Sequence, residues 1–262
     1  MQLIYGIHPV ANAIKSGRAK KLIWAQEGRD KPGGNKQASR GKRLLPINTA
    51  SLPVEYWPKP RFDDQFPGAN HQFCAAECAD FEFQDIGNIS PQTPSHSPTT
   101  IPDNRKGKVS TPLYLALDGI TDPRNMGACI RSAVAFSCAG LIFPAANSAE
   151  LNAACVKSSA GMIEWLPLFR VSNLERSLNL LQERGLWLVA AAGQGEQTIN
   201  DIDCQRALVL LMGTEGKGLG RLLLQRSDYV CRIDISEQAD SLNVSAASAV
   251  MLHNIRLKQG PR

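Results

Sequence analysis

After residue 112 the chain settles into a repeating pattern of short runs rich in Leu, Val and Ile, most of them separated by helical segments. The runs are Tyr114–Leu117, Leu141–Phe143, Leu186–Ala192, Ala207–Met212 and Tyr229–Ile235. A strand with one wet face alternates apolar and polar residues. These runs are continuous, so both of their faces must be covered. Continuous strands alternating with helices predict an α/β architecture, a parallel sheet with helices on both faces. Ser172-Asn173-Leu174-Glu175 has the form of a capping box, Leu174, Leu178 and Leu181 line one helical face, and Gly185 follows at the stop. In such sheets ligands bind beyond the carboxyl ends of the strands. The loops after Leu117, Ala192, Met212 and Ile235 are where chemistry is expected.

Three of those loops carry polar and glycine-rich signals. The first runs from Asp118-Gly119 through Asp122-Pro123-Arg124-Asn125-Met126-Gly127 to Arg131. Asn125 is placed to cap the following helix, and Arg131 lies within it. A cation beside a helix start suits a phosphate, or an oxygen that must lose a proton. A capped helix with a surface arginine is the plainer alternative. The second is Met212-Gly213-Thr214-Glu215-Gly216-Lys217-Gly218-Leu219-Gly220. Its spacing fits neither the dinucleotide fingerprint nor a Walker loop, which argues against NAD and ATP. Its glycines still allow close backbone approach to a ligand, with Glu215 among backbone donors. The third, Ser241-Leu242-Asn243-Val244-Ser245, sets polar groups at a helix start, and the Ala/Ser run behind it allows close packing.

The 262 residues are 43% hydrophobic and 20% charged, enough for a sizeable core. No apolar run approaches the ~20 residues of a membrane span, and Met1–Gly6 has no basic region leading into an apolar stretch. Seven scattered cysteines, several inside apolar patterns, read as reduced thiols of a cytoplasmic protein. His71-x2-Cys74-x3-Cys78 lacks a second ligand pair, so no metal is expected. Residues 1–61 carry twelve Lys/Arg against three acids, while the rest carries seventeen against twenty-one. A basic module joined to a near-neutral one suggests a polyanion partner. Residues 3–24 read as a helix and then a strand at Lys21–Ala25, 28–43 as a mobile basic loop, and 88–112, with five prolines, as a linker. That divides the chain into domains at 1–87 and 113–262.

Together and in this order, the three loops resemble the motifs of the SpoU family of RNA ribose 2′-O-methyltransferases, in the SPOUT superclass. Asp122–Ala133 resembles the first motif, Leu211–Gly216 the second and Ser241–Ser245 the third. Ile4-Tyr5-Gly6-Ile7-His8-Pro9-Val10 and Gly68-Ala69-Asn70-His71-Gln72 resemble parts of the family's substrate-binding domain, which is similar to ribosomal protein L30e. The likeness is greatest to the bacterial branch acting on a guanosine ribose of 23S ribosomal RNA.

The resemblance implies a knotted parallel sheet, a small L30e-like first domain that binds RNA, and a homodimer whose active site is built partly across the interface. It implies S-adenosylmethionine as cofactor, contacted by Gly213, Ile233 and Leu242, and a catalytic set of Asn125, Arg131, Glu215, Ser241 and Asn243. A ribose hydroxyl is a poor nucleophile until its proton is removed or polarised, whereas a sulfonium methyl is already activated and needs no metal. A guanidinium, with a pKa above about 12, is an awkward general base. The expected role of Arg131 is to bind the phosphate or the developing alkoxide, with Asn125 and Glu215 orienting it. The family's Ile-Pro-Met-x-Gly before the third motif is here Ile233-Asp234-Ile235-Ser236-Glu237, which changes loop stiffness and brings two carboxylates near the cofactor pocket. A transfer RNA substrate, or a non-catalytic ribosome-assembly factor with this fold, are the competing expectations.

Overall fold

The computed structural model describes residues 1–26, 52–92, 111–214 and 216–260. The basic segment 28–43, most of the proline-rich stretch and Glu215 lie outside the described residues. The first module consists of β1 (Gln2–Tyr5), α1 (Ile7–Lys15), β2 (Ala19–Ala25), β3 (Val54–Trp57), α2 (Lys59–Gln65) and β4 (Cys74–Cys78). Its strands lie in the order β1-β4-β2-β3, with β4 antiparallel to both neighbours and β3 parallel to β2. Strand alternation divides β2 between two clusters. Ile23 and Ala25 join Trp57, Phe62 and Phe66 on one face, while Leu22 and Trp24 join the main core on the other. β1 was not read from the sequence, because four residues are too few for a period to show.

The second module follows as β5 (Leu113–Leu117), α3 (Pro123–Ala135), β6 (Gly140–Pro144), α4 (Ala153–Ser158), β7 (Leu168–Val171) and α5 (Leu174–Glu183). It continues with β8 (Trp187–Ala191), β9 (Leu208–Met212), α6 (Arg221–Arg226), β10 (Tyr229–Cys231) and α7 (Val244–Gln259). Six strands in the order β10-β8-β9-β5-β6-β7 pair in parallel throughout. Leu113, Leu115 and Leu117 of β5 face one cluster, and Tyr114 and Ala116 face the other. The first face is covered by α3 and α7 through Met126, Ile130, Met251 and Leu252. It runs on into the first module at Ile4, Val10 and Leu22, so the modules share a core. The second face is covered by α5 and α6 through Leu178, Leu181 and Leu223, and Ile89 is buried there too.

α7 is fastened at its far end. Arg256 is buried and donates to the carbonyls of Phe136 (2.8 Å), Ser137 (2.7 Å) and Thr111 (2.8 Å). Lys258 donates to the carbonyls of Asn200 and Ile202, and Gln259 to that of Cys204, which ties α7 to the segment between β8 and β9.

Four local expectations are corrected. The cap of α5 is Asn173, whose Oδ1 accepts from Arg176 N at 2.9 Å, not Ser172. α3 begins three residues earlier than read, with Asp122 as its cap and Pro123 at its first position, so Asn125 lies inside the first turn. β10 stops at Cys231 instead of reaching Ile235, because Arg232 turns to bond the carbonyls of Gly195 and Glu196. β7 was missed because it is an edge strand interrupted by a charge; Arg170 sits 4.3 Å over the Phe83 ring.

Candidate active site

β5 leads outward through β6 to β7, while β9 leads the other way, to β10. Chain direction diverging across the sheet opens a crevice beyond the carboxyl ends of β5 and β9, and that is where the loops converge. A cavity of about 340 Å³ lies beside that crevice, walled by the loops after β8, β9 and β10. Met212, Leu219, Ile233, Leu242 and Val244 give it apolar surface; Gln194, Lys217, Asp240 and Ser241 give it polar groups.

The shape of the second loop follows from its glycines. A Cβ on Gly213 would come within 2.3 Å of Gly218 and 2.4 Å of the Leu219 nitrogen. That close approach lets Thr214 N donate to Gly218 O at 3.2 Å and Gly218 N donate back at 2.9 Å. The result is a closed loop with backbone at the cavity wall.

The first and third loops meet through two helix starts. Asp122 caps α3 by accepting from Arg124 N at 2.9 Å. Asn243 caps α7, its Oδ1 accepting from Ser245 N at 2.9 Å and from Ser245 Oγ at 2.6 Å. The Nδ2 of the same Asn243 donates to Asn125 Oδ1 at 3.1 Å. Two helix amino ends therefore converge on one polar spot, and their dipoles favour an anion or an oxygen gaining negative charge there.

Of the residues expected at the site, Asn125 and Asn243 are in direct contact, and Gly213, Ile233, Ser241 and Leu242 line the cavity. Glu215 lies outside the described residues. Arg131 is not brought to them. It is exposed on α3 and makes no ion pair or hydrogen bond with any described residue. Six residues along a helix turn a side chain through about 600°, so Arg131 leaves α3 roughly 120° away from Asn125.

The two carboxylates introduced before the third motif do not enter the cavity wall. Asp234 instead accepts from Arg232 Nε at 2.8 Å, and Glu237 is exposed. Desolvation raises the pKa of the half-buried Asp118, which follows β5, and pushes the Cys231 thiol on the cavity wall up to about 11. Sequence reasoning missed Gln194, Lys217 and Asp240 as wall residues. Gly193 was the available signal for the first. Lys217 stood inside a recognised loop without being singled out.

His71 accepts from Phe73 N at Nδ1 (3.1 Å) and pairs through Nε2 with Asp63 (3.0 Å). Cys74 and Cys78 are buried, their thiols pushed up to about 12 and about 11 by desolvation. Among the described residues no group of three or more His, Cys, Asp or Glu side chains is arranged to hold a metal ion, and no helix is long and apolar enough to cross a membrane.

Comparison with known proteins places these features in context. Residues 112–253 match the SpoU rRNA Methylase family, and residues 3–84 match a domain described as RNA 2'-O ribose methyltransferase substrate binding. Over 260 residues the chain is 34% identical to the 23S rRNA (guanosine-2'-O-)-methyltransferase RlmB of Pseudomonas aeruginosa, covering 98% of this chain and 97% of that protein. It is 32% identical to the protein of the same name from Escherichia coli K12, covering 96% of each. The solved SpoU methyltransferase AviRb from Streptomyces viridochromogenes superposes with a TM-score of 0.74 at 22% identity, covering 98% of this chain and 89% of that one. An AdoMet-bound rRNA methyltransferase from Sinorhizobium meliloti gives 0.73 at 23% identity, covering 98% and 87%. At these identities the structural likeness establishes the fold.

Proposed function

Given that the chain belongs to the SpoU rRNA methylase family, we propose that it transfers a methyl group from S-adenosylmethionine to the ribose 2′-hydroxyl of a guanosine in 23S rRNA. The observation that carries this reading is the Asn125–Asn243 contact, which joins the first and third motifs beside a cavity bounded by the second.

The cavity suits such a cofactor. Its apolar wall, from Leu219, Ile233, Leu242 and Val244, fits a flat base, and the backbone of the Gly213–Leu219 loop offers hydrogen-bonding groups to the base edge. Asp240 and Gln194 provide partners for an amino-acid tail. When bound, the cofactor supplies a methyl carbon on a positively charged sulfur. The chain's own residues then have to place the hydroxyl and ease loss of its proton. The paired helix starts at Asn125 and Asn243 stabilise the developing alkoxide, and fixed geometry contributes several kcal/mol of the barrier. Ser241 lies on the cavity wall two residues before the α7 cap, within the same polar region. Glu215 is assigned to orient Arg131, as the family motif implies.

Arg131 is supplied by a second copy of the chain. Its position on α3, turned away from Asn125 and bonded to none of the described residues, supports a homodimer in which the active site is shared. α7 offers the matching surface: Ala246, Val250, His253 and Leu257 recur at helical spacing on its exposed side, with Leu257 65% exposed. The bonds between the end of α7 and the β8–β9 segment support a knot that closes around this helix. Residues 1–87 grip the RNA, 88–112 join the domains, and 113–262 carry out transfer. A cytoplasmic location follows from the ribosomal substrate.

The test is transfer of labelled methyl groups from S-adenosylmethionine to total RNA lacking this modification, with ribosomal and transfer RNA counted separately. Label in 23S rRNA that disappears with Arg131→Ala supports the reading. Label confined to transfer RNA would overturn the substrate, and no label in any fraction would overturn the activity.

A further inference from the structure

The two modules meet along a seam whose centre is a buried ion pair. Arg18, just before β2, faces Glu164 in the turn Met162–Trp165, with side-chain exposures of 9% and 2%. Arg18 Nε donates to both Glu164 oxygens at 3.0 and 2.8 Å, and Nη2 donates to Oε1 at 2.5 Å. Nη1 is used as well, reaching Ala79 O at 2.7 Å and Gln2 Oε1 at 3.2 Å. The guanidinium carbon sits 4.0 Å over the Phe81 ring. Ser16 Oγ donates to Glu164 at 3.0 Å.

The bonds around this pair also cross the seam. Asn12 of α1 donates to Ala160 O at 3.0 Å and accepts from Trp165 Nε1 at 3.2 Å. Lys157 donates to Gln72 Oε1 at 3.3 Å, and Gln2 donates to Leu151 O. Gly161 lets α1 come this close: a Cβ there would lie 2.8 Å from Pro9 Cα.

A solvent-exposed pair tolerates sliding, because water satisfies whichever group is left behind. A buried, multiply bonded pair does not. Displacement by an ångström breaks several charge-assisted bonds at once, so such a pair selects one orientation. We infer that Arg18 and Glu164 are positioning residues that lock the RNA-gripping module in one orientation over the methyl-transfer module. The inference rests on the proposed function, since it takes the first module to hold the RNA. RNA held on the first module then reaches the Asn125–Asn243 spot only while the pair is intact. Misplacing a reacting atom by about 1 Å can cost on the order of 100-fold in rate.

The experiment uses the full chain with Glu164→Gln, which keeps the shape and removes the charge. All seven cysteines are buried, so spin labels at Tyr56→Cys and Arg176→Cys, both exposed, report the distance between modules. The expected result is a broadened distance distribution and a kcat on 23S rRNA lower on the order of 100-fold, with KM for RNA and affinity for S-adenosylmethionine within about threefold of wild type. Trp165→Phe, which removes the Nε1 bond to Asn12, is the milder companion and shifts both readouts in the same direction. An unchanged distance distribution, an unchanged kcat, or a parallel loss of cofactor affinity would overturn the inference. Wild-type chain that transfers no methyl would defeat the functional reading, while the distance measurement still decides whether the pair fixes the orientation.

Discussion

Asn125 and Asn243 stand 118 residues apart in the chain, and the Nδ2 of one donates to the Oδ1 of the other at 3.1 Å. Their burdens differ. Asn243 also caps α7 through Ser245 N, whereas the cap of α3 is Asp122 and not Asn125. Asn125→Ala is expected to abolish most methyl transfer with little change in Tm. Asn243→Ala is expected to lose transfer and about 1 kcal/mol of stability as well. Paired activity assays and thermal melts check this; equal destabilisation by both would contradict it.

If Arg131 serves the partner's site, two dead variants should rescue each other. Arg131→Ala and Asn125→Ala subunits, each inactive alone, are expected to regain activity when refolded together. Mixed dimers then contain one site with both residues intact. A mixture as inactive as its components would place Arg131 in its own subunit's site or outside the reaction.

Gly213→Ala places a methyl group 2.3 Å from Gly218, so the loop must open. Overpacking of this kind costs roughly 1–3 kcal/mol. Because the loop is part of the cavity wall, titration calorimetry is expected to show S-adenosylmethionine binding about tenfold weaker or worse. Unchanged affinity would mean that the loop does not contact the cofactor.

Arg256 donates to the backbone carbonyls of Phe136, Thr111 and Ser137. Arg256→Met keeps much of the volume and leaves buried acceptors unpaired. The expected loss is roughly 3 kcal/mol or more in urea unfolding. A loss below about 1 kcal/mol, the range of an ordinary surface change, would show that water or a shifted side chain replaces the arginine.

The thiols of Cys74, Cys155 and Cys231 are pushed up to about 12, 12 and 11 by burial. The thiolate is the reactive form, and at pH 8 these groups stay protonated. Ellman's reagent is expected to find no reactive thiol in the native protein at pH 8 and all seven in urea. A rapidly reacting thiol in the folded state would expose an opening of the core.

The second module was legible because its strands are buried on both faces and so appear as unbroken apolar runs. β5, β6, β8 and β9 fall within a residue or two of where those runs predict them. β7 escaped because Arg170, on an edge, interrupts the run, and β1 escaped through its brevity. Asn125 of the first motif and Asn243 of the third are in contact in the fold. The cap of α3 was misplaced because Asp122 and Asn125 are both good capping residues, and only Pro123, at home in the first helical position, discriminates between them. The Arg18–Glu164 pair was invisible for a different reason. Residues 146 apart carry no local signal of their meeting, and each alone looks like an ordinary surface charge.

The place of α7 in the chain also decides which parts of the site are made last. The loop before this helix walls the cavity, its cap is Asn243, and its last turn holds Arg256. All of these are translated after every strand of the sheet. A chain clipped upstream of Ser241 lacks Ser241, Leu242 and Val244 of the cavity wall and all of α7. Every one of these contributions is therefore the last part of the protein to be made.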